Sequence, residues 1–136
     1  MKDTTKLMIE MFYIEELGYD FMGYTKDGNG DYSFHHLLVP RRENGNCTIQ
    51  NGAVLFRKPH DYLHIIEDYD LDIFYAITSE MVDMNVKRYL DTKNLLKIDD
   101  LLKCFEREYC GKRTSHNNLI IKEEYTRRLI KNRNYK

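Results

Sequence analysis

Several residue types are scarce in this chain of 136 residues, which has no tryptophan, two prolines and three cysteines. The cysteines, Cys47, Cys104 and Cys110, are odd in number and form no CxxC pair, which argues against a disulfide framework. No apolar run reaches the roughly 20 residues that a membrane-spanning helix needs. The N-terminal segment carries acidic residues where a secretory signal would be basic and then apolar. We therefore expect a cytoplasmic protein with reduced thiols and no membrane partner.

The formal net charge is −1, but the charges are unevenly distributed along the chain. Residues 1–110 carry 13 lysines and arginines against 20 aspartates and glutamates, whereas residues 111–136 carry 8 against 2. A basic end on an acidic body is typical of a phosphate-binding arm. The same pattern also fits a solvated helix whose basic end complements the helix dipole. The sequence leaves both interpretations open.

Hydrophobic periodicity predicts an α+β fold dominated by helix. Residues 4–17 have apolar residues at helical spacing, and Gly18 is a plausible helix stop. Residues 32–39 are typical of a strand, and residues 53–57 are typical of a second one. The polar stretch 41–50 between them predicts a β-hairpin with a long loop.

A helix is expected directly after the hairpin, because Pro59 fits the first turn of a helix, where its missing N–H costs nothing. That helix runs to about residue 69, so residues 32–69 form a hairpin-plus-helix core. The length and the ordinary composition fit one globular domain over residues 1–136. Further helices are expected over about 70–133, at 70–90, 94–109 and 118–133.

Four of the five histidines fall between positions 35 and 64. His60 and His64 are four apart on the predicted helix, so both rings project from one face about one turn apart. Such a pair can hold a metal ion through two imidazole nitrogens. His35 and His36 are neighbours on the predicted strand, so one can bind a metal while the other stays unligated. A hairpin packed against the helix brings the strand pair over the helical pair.

The segments FHHLLVP (34–40) and PHDYLH (59–64), with Asn51 just before the second strand, form a three-part pattern. Its parts come in a fixed order: adjacent histidines on a strand, an asparagine before the next strand, and a spaced histidine pair on a helix. This order is far more specific than any single HxxxH. The pattern, over about residues 32–66, resembles the HNH or ββα-metal nuclease superfamily. It is most similar to the His-His subgroup, which includes the nuclease colicins.

The segments around this pattern carry a second resemblance. LGYDFMGYT, SFHHLLVP, NGAVL, HDYLHIIE and ITSEMVDMN are similar to a group of small uncharacterised proteins from Gram-positive bacteria and their mobile elements. That group has no settled activity, so this resemblance suggests a setting, a phage or other mobile element, rather than a reaction.

The nuclease resemblance implies a ββα-metal core embedded in a mostly helical small domain, and a role for each matching residue. His35, His60 and His64 correspond to the ligands of one divalent metal. His36 corresponds to the general base that takes a proton from the attacking water. Asn51 corresponds to the asparagine whose amide holds the strand of His36 in place. The implied activity is metal-dependent hydrolysis of DNA phosphodiester bonds.

The donor set narrows the choice of metal, and the flanking charges suggest the substrate contacts. Three imidazoles favour zinc, nickel, cobalt or manganese over calcium. We expect zinc first, with nickel, manganese or magnesium as alternatives.

Basic residues beside the pattern are candidates for contacts to DNA phosphates, although ordinary loop charge explains them equally well. These residues are Arg41, Arg42, Arg57 and Lys58.

A second function from another class fits the same sequence. The small size, the acidic segment 1–110 and the lack of an obvious DNA-reading domain favour a binding protein that uses the metal for stability. It would be a mobile-element inhibitor of a host CRISPR or other defence nuclease, of the anti-CRISPR type, without nuclease activity. Independently of that choice, Asn51 precedes Gly52, so a simple turn residue is the alternative interpretation of this asparagine.

Overall fold

The structure, a computed structural model, describes residues 3–38 and 47–109. The predicted α+β architecture is confirmed, with one small antiparallel sheet and a predominance of helix. In this described part of the chain, no helix is both long and apolar enough to cross a membrane. The elements are α1 (Asp3–Met11), α2 (Ile14–Leu17), β1 (Tyr32–His36), a 3-10 turn (Ile49–Asn51), β2 (Gly52–Phe56), α3 (Arg57–Tyr69), α4 (Leu71–Lys87) and α5 (Thr92–Tyr109).

The two strands pair as the predicted hairpin, with His35 opposite Ala53 and His36 opposite Gly52. Exposure alternates along β1, where Ser33 and His35 are buried and His36 is half-buried. Every residue of β2 is buried. Because successive side chains of a strand point to opposite faces, His35 shares its buried face with Ser33, while His36 points to the other face.

Helix α3 begins directly after β2, and its first turn is closed by backbone groups from the turn before β1. Arg57 N donates to Asp31 O at 2.8 Å, and Lys58 N donates to Asn29 O at 3.0 Å. The third position is Pro59, which has no N–H to satisfy. The first three positions of a helix otherwise leave N–H groups without partners. The start of α3 is therefore fixed against the segment that leads into β1.

The single helix predicted over residues 4–17 is wrong in one respect, because it is broken between α1 and α2. Tyr13 at the break has a left-handed backbone with φ 56°. Its neighbours Phe12 and Ile14 are both 1% exposed. Residues two apart lie on different faces of a continuous helix, so the break lets both side chains enter the core. Phe12 packs there against Phe21, with ring centroids 4.7 Å apart.

Asp20 is a fully buried carboxylate that joins the segment after α2 to the start of α3. Its Oδ1 accepts hydrogen bonds from Met22 N at 2.9 Å and Tyr24 N at 3.0 Å. Its Oδ2 accepts from Phe56 N at 3.0 Å, at the residue that precedes α3. Burial raises the pKa of Asp20 to about 7, against the effect of the backbone N–H groups, which lower it.

Helices α4 and α5 are the helices predicted over 70–90 and 94–109, and they pack on each other across a shared apolar core. Asp70 caps α4, because its Oδ1 accepts from Ile73 N at 3.1 Å. Its Oδ2 accepts from the Tyr109 hydroxyl at 3.0 Å, which joins the end of α5 to the start of α4. The helix expected nearest the C-terminus lies outside the described residues.

Replacing Asp20 by asparagine is expected to lower the free energy of unfolding by about 1–3 kcal/mol. In either orientation the amide turns an N–H₂ group toward a buried backbone donor, which then loses its acceptor. Urea unfolding measures the difference, with Asp27→Asn at an exposed position as the matched control. Equal stability of the parent and Asp20→Asn would contradict this role.

Candidate metal centre

Three histidines from β1 and α3 converge at one place in the fold. The candidate ligand nitrogens of His35, His60 and His64 all lie within 4.8 Å of one another. The ring centroids of His60 and His64 are 4.8 Å apart, and that of His35 lies 5.2 Å from the first and 5.7 Å from the second. His35 and His60 are buried, whereas the side chain of His64 is 52% exposed. The cluster therefore opens to solvent at His64.

The Nε2 atom of His35 is buried and has no hydrogen-bond partner among residues 3–38 and 47–109. The Phe74 ring, which meets the His35 ring edge-on at 6.2 Å, offers it no polar group. A buried polar atom left in this state costs about 1–3 kcal/mol. A metal ion shared with His60 and His64 would satisfy it. Three imidazoles also leave a coordination position open, as in catalytic sites, so the residues present fit one divalent metal ion.

The two helical histidines are held through the same ring nitrogen. His60 Nδ1 lies 2.8 Å from Ser33 Oγ, inside the buried face of the hairpin. His64 Nδ1 lies 3.2 Å from Glu67 Oε1, one helical turn farther along α3. In both rings Nδ1 is occupied, so Nε2 is the nitrogen that remains for a metal. Metal-binding histidines typically engage their second nitrogen in this way.

Burial and mutual repulsion keep the two buried rings of the cluster unprotonated. The pKa of His35 lies well below its usual value, mainly because of burial and then because of the positive charges of His60, His64 and His36. Burial, followed by the charges of His64 and Arg57, lowers the pKa of His60 to about 4. A histidine must be unprotonated to bind a metal. These two rings are therefore ready for a cation at neutral pH.

His36 adjoins the cluster without joining it. Its charge contributes to the lowered pKa of both His35 and His60, so it lies within electrostatic range of their rings. The ring is half-buried and meets Phe34 edge-on, with centroids 4.9 Å apart. Its Nε2 lies 3.6 Å from Cys47 Sγ. The predicted division of the strand pair, with one histidine in the cluster and one outside it, matches this arrangement.

Asn51 holds the backbone that follows His36. Its side-chain Oδ1 accepts a hydrogen bond from Leu38 N at 2.7 Å, and its backbone oxygen accepts from Leu37 N at 2.9 Å. Gly52 has an extended backbone with φ −128°, and a Cβ there would lie 2.4 Å from the Phe34 ring. Packing therefore explains this glycine, and the Asn51 side chain does more than end a turn.

Asn85 of α4 supports the same turn from the other side. Its Nδ2 donates to Ile49 O and to Gly52 O, both at 2.7 Å. Its Oδ1 accepts from Arg88 Nη1 at 2.8 Å. Because the two carbonyls flank Asn51, the buried amide of Asn85 fixes the segment that in turn binds the end of β1.

The predicted phosphate contacts are only partly described. Arg57 has a side chain that is 58% exposed and lies 3.9 Å from Asp61 Oδ1, a weak surface ion pair. Lys58 is half-buried in the first turn of α3. Arg41 and Arg42 lie outside the described residues.

Four side chains that support the cluster or contact His36 were not predicted from the sequence. Strand alternation puts the residue two places before His35 on the same face, and the next helical turn begins three residues after His64. Ser33 and Glu67 could therefore have been predicted from the sequence pattern. Cys47 and Asn85 come close to the site only through the tertiary fold.

The lowered pKa of His60 makes the stability of the metal-free protein depend on pH. The unfolded chain binds a proton near pH 6.5 and the folded chain only near pH 4, so stability is lost as the pH falls through this window. With EDTA present, we expect this group to remove about 1–2 kcal/mol between pH 7 and pH 5. Urea unfolding at both pH values should show a smaller loss in His60→Asn. A variant that keeps the full pH dependence would exclude His60 as its source.

Comparisons of the chain with protein-family models, with curated proteins and with solved structures find no match. A functional proposal therefore has to be based on the side chains of the site. These are the three imidazoles of the cluster, the imidazole of His36 beside it, and Asn51, which binds the backbone that follows His36.

Proposed function

We propose that this protein is a metal-dependent endonuclease that hydrolyses DNA phosphodiester bonds. In this proposal β1, β2 and α3 form the ββα-metal core of an HNH-type nuclease of the His-His subgroup. The observation that carries it is the convergence of His35, His60 and His64 within 4.8 Å, with a further histidine, outside this cluster, as the next residue of the strand. Structural zinc sites usually have four protein ligands, whereas catalytic sites have three and keep one position open, so a three-histidine set favours a catalytic role.

His35, His60 and His64 would hold one divalent ion. When bound, that ion supplies Lewis-acid stabilisation of the charge on the scissile phosphate and on the leaving 3′-oxygen. Imidazole nitrogens suit zinc and nickel best, so zinc is expected first, with nickel, manganese or magnesium as alternatives. The exposure of His64 gives a substrate phosphate access to the cluster.

His36 would act as the general base. Its unprotonated nitrogen takes a proton from water while the water oxygen bonds to phosphorus, and the bond from phosphorus to the 3′-oxygen breaks. Help of this kind contributes about 10²–10⁴-fold in rate. A cysteine thiol is a weak hydrogen-bond partner, so water can replace Cys47 at the His36 ring. Asn51 would keep this strand in position through its bond to Leu38 N.

The basic residues would contact the DNA backbone beside the scissile phosphate. Arg57 is exposed, and its ion pair with Asp61 is long and weak, so its guanidinium is available to a phosphate. Lys58 follows it in the first turn of α3. Arg41 and Arg42 are assigned the same role from the sequence alone.

Cleavage of supercoiled plasmid tests the proposal directly. Purified protein is incubated with plasmid and Mg²⁺, Mn²⁺, Ni²⁺ or Zn²⁺, beside His36→Ala. We expect metal-dependent nicking or linearisation by the parent, and a rate lower by about 10²–10⁴-fold in the variant. Zinc affinity measured in parallel should be unchanged in His36→Ala, because His36 is not a ligand.

His64→Ala is the complementary control. His64 is exposed, so its removal is expected to leave the fold intact while it weakens metal binding and cleavage together. No metal-dependent cleavage by the parent, or an undiminished rate in His36→Ala, would refute the nuclease proposal.

A second candidate, a metal-stabilised inhibitor of a host defence nuclease such as a CRISPR effector, is favoured by one observation. Acidic side chains clearly outnumber basic ones in the described residues. Such a surface repels DNA and suits the basic nucleic-acid channel of a partner protein.

This alternative predicts a different response to the same changes. Metal removal with EDTA should unfold the protein or abolish partner binding, whereas His36→Ala should leave both intact. Thermal unfolding with and without EDTA, together with a pull-down against a defence nuclease, measures these effects. Recovery of no protein partner, with plasmid cleavage intact, would exclude the inhibitor.

A further inference from the structure

Ser33 and His60 share a buried contact that determines where the proton of the His60 ring lies. Ser33 is two residues before His35 on the same face of β1, and it is 6% exposed. Its Oγ lies 2.8 Å from the Leu55 carbonyl oxygen and 2.8 Å from His60 Nδ1. Both distances are typical of hydrogen bonds between well-aligned groups.

Only one placement of the hydrogen atoms satisfies both of these contacts. A carbonyl oxygen can only accept, so the single hydroxyl hydrogen of Ser33 is donated to Leu55 O. The Ser33 oxygen must then accept from the ring, and the hydrogen of His60 lies on Nδ1. A neutral imidazole carries one N–H. The lone pair of His60 is therefore on Nε2, the nitrogen that remains for the metal.

We propose that Ser33 is a positioning residue, which fixes the Nδ1–H tautomer of His60 and presents the Nε2 lone pair to the metal. This rests on the metal centre of the proposed function and assigns a role to a residue outside the ligand set. Without the hydroxyl, the buried ring loses its hydrogen-bond partner, and the competing tautomer would place a hydrogen where the metal has to bind.

His60 depends on such a partner more than His64 does. His60 is 8% exposed, so water cannot readily take the place of Ser33. The His64 side chain is 52% exposed, and water can take over the contact that Glu67 makes with its Nδ1. The hydroxyl of Ser33 is therefore the supporting group whose loss the cluster can least replace.

The test compares Ser33→Ala, Ser33→Thr and Ser79→Ala, in which an exposed serine on α4 is the matched control. Zinc affinity is measured by competition with a chromophoric chelator. We expect Ser33→Ala to bind Zn²⁺ about 10–100-fold more weakly than the parent. Ser33→Thr, which keeps the hydroxyl, should restore most of the affinity, and Ser79→Ala should match the parent.

A second readout needs no metal. Imidazole ¹⁵N chemical shifts of the metal-free parent should identify His60 as the Nδ1–H tautomer, and Ser33→Ala should shift the ring toward the Nε2–H form. This readout remains decisive if Ser33→Ala fails to fold, because an Nε2–H tautomer in the parent would by itself overturn the proposal. Parent-like zinc affinity in a folded Ser33→Ala would overturn it as well.

The outcomes separate this role from the nuclease activity. Loss of zinc affinity in Ser33→Ala, without plasmid cleavage by the parent, would support Ser33 and reject the nuclease. Cleavage by the parent, with the ¹⁵N shifts and zinc affinity unchanged in Ser33→Ala, would support the nuclease and reject the positioning role of Ser33.

Discussion

The meeting of three imidazoles at one partly buried place is the constraint that the rest of the structure has to satisfy. Burial and the repulsion between like charges lower the pKa of His35 and His60, so these two rings are uncharged there. The buried Nε2 of His35 has no hydrogen bond within the described chain. A shared cation would relieve that cost. The surrounding backbone has to hold the rings in place before that cation arrives.

Hydrogen bonds from distant parts of the chain hold the two elements that carry the rings. The start of α3 is fixed by the carboxylate of Asp20 and by two carbonyls from the turn before β1. The end of β1 is fixed by Asn51, and the turn of Asn51 is fixed by Asn85. Each contact satisfies a backbone N–H or C=O group, and such groups are costly to leave without a partner inside a protein. The site is thus built into the framework of the fold.

Local periodicity was enough to predict the hairpin, the helix that follows it and the approach of a strand pair of histidines to a helical pair. It did not say which histidine of the strand pair joins the cluster, and His35 was chosen from the resemblance to the HNH nucleases. The break at Tyr13 was not predictable, because it depends on which side chains the core accepts. The contacts of Asn85 and Cys47 depend on tertiary packing between segments far apart in sequence. Strand alternation could have located Ser33, because it lies two residues before His35 on the same face. The reaction itself stays a prediction, which the resemblance to the HNH nucleases implies.

Asn85 lies well beyond the hairpin-plus-helix segment, yet its amide satisfies two carbonyls on either side of Asn51. A fragment that stopped after α3 would leave both carbonyls without this donor. The segment is therefore not a self-sufficient module, and a graft of it onto another scaffold would have to bring an equivalent amide from a later helix. Substitutions at position 85 of α4 are restricted for the same reason, because the side chain there has to donate hydrogen bonds to a turn far upstream in the sequence.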